Sequence, residues 1–182
     1  MEQLSRHFEE DELAPEDVVL HRVHAIVKAH PKMKAIFGEP WIKATDLPNE
    51  LEFGHFPIFF VSPFFSSSEP QPASYSLDFR LYFIARFELV GAKEMKPGDA
   101  TVATLGRLLH SIMEQNKTLQ VPSPSGVGTI GLVRRNEPGP MRFEFSENPK
   151  TGRFVVSQII ERNFTATTDT ASGRIRNQVL AE

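Results

Sequence analysis

The chain has 182 residues, 40% of them apolar, with 15 Phe against two Tyr and one Trp, which fits one domain with an aromatic-rich core. It contains no Cys, so disulfides, thiolate metal sites, Fe–S clusters and cysteine nucleophiles are excluded, in keeping with synthesis in a reducing cytosol. The formal charge of −3 is uneven: residues 1–17 hold seven acids and one base, the remainder 19 bases and 16 acids, so no concentrated positive charge marks a dedicated nucleic-acid binder.

Residues 1–14 read as an acidic N-terminal arm, either solvated or docked on a basic neighbour. They lack the apolar core of a secretory signal, and no run in the chain approaches the ~18 apolar residues of a membrane span. A first helix is expected from Pro15 to His30. Pro15 suits its first turn, Glu16 and Asp17 favour the positive end of the dipole, and Leu20, Val23, Val27 and His30 form an apolar stripe ended by Pro31. Met33–Phe37 alternates apolar and polar residues and reads as a short strand. Gly38–His55, with Trp41, reads as a structured connection. Phe56–Phe65 reads as a strand with Pro at both margins, hence an edge strand or one whose pairing ends early.

The clearest strand follows. Leu77, Phe79, Leu81, Phe83, Ala85, Phe87 and Leu89 point one way, and Ser76, Asp78, Arg80, Tyr82, Ile84, Arg86 and Glu88 the other. That alternation predicts one buried and one mostly wet face. At ~3.4 Å per residue the strand would approach ~48 Å and outrun the core or bend. Asp99 is placed to cap a second helix running to about Gln115, with Val102, Leu105, Leu109, Ile112 and Met113 inward and Asn116 as a left-handed terminator. Residues 120–152 read as an irregular, projecting hairpin insertion: strand-like pieces Gly131–Arg135 and Met141–Phe145 flank a turn at Asn136–Pro140. Phe154–Thr168 is a second long strand, with Phe154, Val156, Ile160, Phe164 and Ala166 on one face. Residues 169–182 read as a tail. The sum is a single α+β domain over 15–168, a two-layer sandwich of a mainly antiparallel sheet covered on one face by two helices.

No residue set predicts catalysis, a cofactor or a metal. Gly126–Gly131 fits the letters G-x-G-x-x-G, but Pro-Ser-Pro precedes it and no helical pattern follows, so the dinucleotide context is missing. His21 and His24 lie three apart on the first helix without an evident third ligand. His55 and His110 have no nucleophile and acid beside them in any recognisable motif. Arg134, Arg135 and Arg142 form the most basic local cluster, across the proposed turn. They are either a solvated hairpin or a contact for an acidic partner or DNA backbone.

The order of elements, with Ser74-Tyr-Ser-Leu-Asp-Phe-Arg-Leu-Tyr-Phe-Ile-Ala-Arg-Phe87, Ala103-Thr-Leu-Gly-Arg-Leu-Leu-His-Ser-Ile-Met113 and Ile159-Ile-Glu-Arg-Asn-Phe-Thr-Ala-Thr167, resembles the tail terminator and neck (tail-completion) proteins of long-tailed bacteriophages, of the minor-tail-protein-U type. The resemblance implies a non-catalytic virion protein, made in the host cytoplasm, that closes into a ring, usually of six copies. It implies contacts with the tail tube protein and with head-completion or connector proteins, and DNA passing through the lumen. In such a ring Arg80 and Arg86 are candidate lumen- or DNA-facing residues, and Arg134, Arg135 and Arg142 candidate partner contacts. A small, non-catalytic cytosolic binding or regulatory domain is the alternative.

Overall fold

A computed structural model describes residues 13–45, 55–63, 76–89, 102–122, 128–148, 150–167 and 178–179. The described helices are α1 (Pro15–Ala29), α2 (Pro31–Phe37) and α3 (Val102–Gln115), with a 3-10 turn at Glu39–Trp41. The strands are β1 (Ile42–Ala44), β2 (Ile58–Ser62), β3 (Ser76–Glu88), β4 (Gln120–Pro122), β5 (Thr129–Gly131), β6 (Arg135–Glu147), β7 (Phe154–Thr167) and β8 (Gln178–Val179). The large sheet has the order β1-β2-β3-β7-β6, and β4-β5-β8 form a small second sheet. Every pairing is antiparallel except β1 with β2. The molecule is the expected α+β, mainly antiparallel two-layer sandwich.

The long alternation of β3 serves its predicted purpose on the helix side. Phe79, Leu81 and Phe83 join Val23 and Val27 of α1 and Leu105 and Leu109 of α3 in the main core, with Phe87 packed at its margin. The opposite face departs from expectation. Tyr82 and Ile84 are buried there with Ile58, Phe60 and Ile159, and Trp41 and Phe56 pack against them. A two-sided apolar centre therefore replaces the mostly wet face, with Arg86 and Arg142 lying over its Phe60 and Tyr82 rings.

Three local readings are corrected, and a fourth, that of β2, resolves to one of its two alternatives. Met33–Phe37 is a helix, because Met33 and Phe37, both buried, are four apart, a spacing that satisfies helical and alternating patterns alike, and Pro31 at its first turn restarts the helix after extended His30. β2 is not an edge, since β1 flanks it, but it stops at Ser62 before Pro63, as a strand limited by proline should. Asn116 closes α3 with its side-chain amide on Ile112 O at 2.8 Å, and the left-handed residue is instead the buried Leu119, at φ 51°. Asn136–Pro140 is no turn. It lies within β6, which pairs with β7 along its length except for an irregularity between Pro138 and Met141. Asp99 lies outside the described residues.

Candidate assembly surface

α3 begins above Gln158, whose Nε2 donates to Val102 O at 2.9 Å, and runs toward Asn136, which reaches Met113 O at 3.5 Å. It therefore roofs only the Gln158–Phe164 stretch of β7. Strand parity puts Met141, Phe143 and Phe145 of β6, Phe154 of β7 and Leu89 at the end of β3 on this same inner face; Met141 borders α3 across a shared cavity, and the others extend beyond it. Phe145 is 71% exposed and Phe154 63%, with Met141, Leu89 and Phe143 between 41% and 48%. Adjacent bare Phe side chains at one sheet end mark an interaction surface better than scattered apolar residues do.

Buried polar groups hold β6 against the roof. Arg162, 2% exposed, points inward from β7. Its Nε donates to Asn136 Oδ1 at 2.6 Å, Nη2 to Glu114 Oε1 at 2.9 Å, and Nη1 lies 3.3 Å from His110 Nδ1. Burial lowers the pKa of the guanidinium, opposed by its bond to Glu114, and the hydrogen bonds keep the buried cation satisfied. Arg162 and Gln158 occupy inner-face positions that sequence reading filled only with their apolar neighbours; the parity that places Val156 and Ile160 inward places these two there as well. At the other end of β7, Glu88 accepts from Thr151 (2.8 Å), Asn148 (3.1 Å) and Arg153 (3.0 Å), pinning the β6–β7 turn to β3. These bonds, Thr151's foremost, hold the Glu88 carboxyl below the ordinary range.

The singled-out residues are placed as follows. Arg80, Arg86, Arg135 and Arg142 share the outer face of the sheet, but interleaved with Asp78, Glu137, Glu144 and Glu161. Arg80 lies 3.7 Å and Arg142 3.1 Å from Glu161, Arg142 also 3.3 Å from Glu144, and Arg135 2.6 Å from Glu137. The Arg86 guanidinium lies over Phe60 and that of Arg142 over Tyr82; burial lowers the Arg86 pKa, partly offset by Glu144. Arg135 and Arg142 pair with Thr165 and Ile159, well apart on β7, so no basic cluster forms across a turn. Arg134 is exposed beside Arg135.

His24 bonds Ile42 O at 2.9 Å, while His21 is exposed. His55 stacks on Trp41 at 3.9 Å. No group of three potential metal ligands occurs among the described residues. Strand β5 (Thr129–Gly131) lies within the Gly-rich segment and the next element is strand β6, not a helix; Gly126 lies outside the described residues, as do residues 1–12 of the acidic arm. A cavity of about 310 Å³ between α3 and β6 is lined by Gly106, Arg107, His110, Met141, Ile160 and Arg162 among others, with no carboxylate or hydroxyl side chain in its wall. No described helix is long and apolar enough to cross a membrane.

The chain is thus an α+β sandwich that, among the described residues, has an exposed apolar sheet end and a long edge strand, β6, with no neighbour on its outer side. Compared with known proteins, it matches no protein-family model and has no significant match among curated proteins.

Proposed function

We propose that this chain is a non-catalytic virion protein of a long-tailed phage, a tail terminator or neck component made in the host cytoplasm. It closes into a ring, of six copies in the family it resembles, that caps the tail tube and meets head-completion or connector proteins on the other side. The observation that carries the reading is the bare sheet end formed by Leu89, Phe145 and Phe154. Three strands of 13 or 14 residues outrun their helical roof and present Phe to a partner, which a chain built to work alone would cover. The alternating signs around Arg80 and Arg86 also support a lumen role for the outer face. DNA sliding past them meets no unbroken run of cations to hold it.

The test is attachment. Purified protein mixed with tubes should appear as rings at tube ends in negative stain. The Phe145→Ser, Phe154→Ser double variant should keep its melting temperature and lose that attachment. A chain that ignores tube ends refutes the reading. The alternative, a small binding domain, is favoured by one observation: a cavity of about 530 Å³ between α2 and α3, lined by Ala35, Ile36, Phe87, Leu105 and Leu108 among others, lies within the ~300–1,000 Å³ range of small-molecule sites. Stabilisation by an apolar ligand, without tube attachment, would select it.

A further inference from the structure

β6 is the outermost strand of the large sheet, with β7 on one side and no strand on the other among the described residues. Its two halves differ. Arg135–Pro140 is guarded: Pro138 and Pro140 have no N–H to offer, and the irregularity at Gly139 breaks the ladder. Met141–Glu147 has neither device. On its inner face stand Met141, Phe143 and Phe145, all exposed; on its outer face stand Arg142 and Glu144.

That segment is its own complement when reversed about Phe143. Arg142 falls where Glu144 stood, and Met141 where Phe145 stood. In an antiparallel pair, directly opposed residues share a face. We propose that β6 pairs antiparallel with β6 of a second copy of this chain, about a two-fold axis through Phe143, so that one sheet runs through both molecules. Arg142 then opposes the partner's Glu144 on the outer face, twice by symmetry. Phe143 opposes itself, and Met141 opposes the partner's Phe145, on the inner face. Arg142 keeps its bond to Glu161 and gains a second chain's carboxylate. The pairing ends where Pro140 opposes the partner's Ser146, since Pro140 has no N–H to donate. The opposite edge of the sheet, β1, offers three residues, too few to match the open half of β6 in a head-to-tail contact.

Such a contact is complete with two chains, whereas a ring joins unlike patches. It therefore describes the free protein and goes beyond the proposed function, which needs a further surface. The chain's lack of Cys permits a register-specific test. Directly opposed Cα atoms stand ~4.5–5.5 Å apart, within the ~4.4–6.8 Å a disulfide spans. Under mild oxidation the Phe143→Cys full chain should cross-link to itself, and Ser146→Cys should not. Light scattering should give the wild type twice its 20.5 kDa. Glu144→Arg, which sets like charges across the axis, should halve that mass at an unchanged melting temperature. A wild-type monomer, a dimeric Glu144→Arg, or equal cross-linking at both positions overturns the proposal. So does a free hexamer whose Phe143→Cys variant stays unlinked, and that result would leave the ring reading standing.

Discussion

Phe83 is 1% exposed, with its ring centroid 6.2 Å from Phe59, which in turn sits 5.3 Å from Phe37. This aromatic train links β3 to β2 and α2, so truncation leaves a cavity that three elements cannot all move to fill. Phe83→Ala should cost about 3–5 kcal/mol, read as a lower denaturant midpoint. Wild-type stability would mean that the inner face has been assigned wrongly. Glu88 is expected to contribute to acid sensitivity. Its folded pKa is depressed, as is that of Glu114, which is held first by Lys117 and then by Arg162. Each therefore contributes stability that is fully present above the ordinary glutamate value of about 4.3 and is lost as pH falls through the lower folded value. Melting temperature should drop across that window, and Glu88→Gln should flatten the drop; an unchanged slope would show that the Glu88 bonds add nothing to stability.

Among the elements, α1, α3, β3 and β7 are legible in the sequence because each carries its period over more than ten residues, long enough to outweigh local exceptions. β6 is not legible. Pro138, Gly139 and Pro140 are turn punctuation by composition, yet on an edge strand a missing N–H on the solvent side is tolerated and a glycine marks where the neighbouring strand comes close. A Cβ on Gly139 would stand 2.8 Å from Glu161 Cβ and 3.2 Å from its carbonyl oxygen. Gly139→Ala should therefore push β6 from β7 and destabilise by about 1–3 kcal/mol, visible as faster amide exchange in Arg135–Met141. Unchanged exchange there would show that the close approach is not rigid. The same limit hid the assembly surface: Phe143 and Phe145 are visible in the sequence as apolar, but only the position of α3 shows that no described helix roofs them.

At the scale of the whole molecule, the central pair β3–β7 joins Ser76 to Thr167 and Glu88 to Val155, residues distant in sequence. β6 and β7, by contrast, meet through a short turn. Asn148 N–H donates to Arg153 O at 2.7 Å, Gly152 N–H to Asn148 O at 2.8 Å, and Gly152 takes φ +66°. Loop-closure entropy makes the short connection the cheapest first step and the long-range pairing slow. This predicts an order of events during folding in which the β6–β7 hairpin forms first and β3 docks on it late, through Glu88. A Cβ on Gly152 meets only Glu147 Oε1 at an ordinary 3.6 Å, so Gly152→Ala perturbs the turn through its backbone alone, by about 1 kcal/mol. If the hairpin is the nucleus, that loss should appear almost wholly as slower refolding, roughly fivefold, with the unfolding rate unchanged. Faster unfolding at an unchanged refolding rate would place the turn after the barrier. In the interval before β3 arrives, the nascent hairpin carries its Phe residues bare on a free strand edge, which makes this step the one most exposed to aggregation and the yield of refolding steeply dependent on protein concentration.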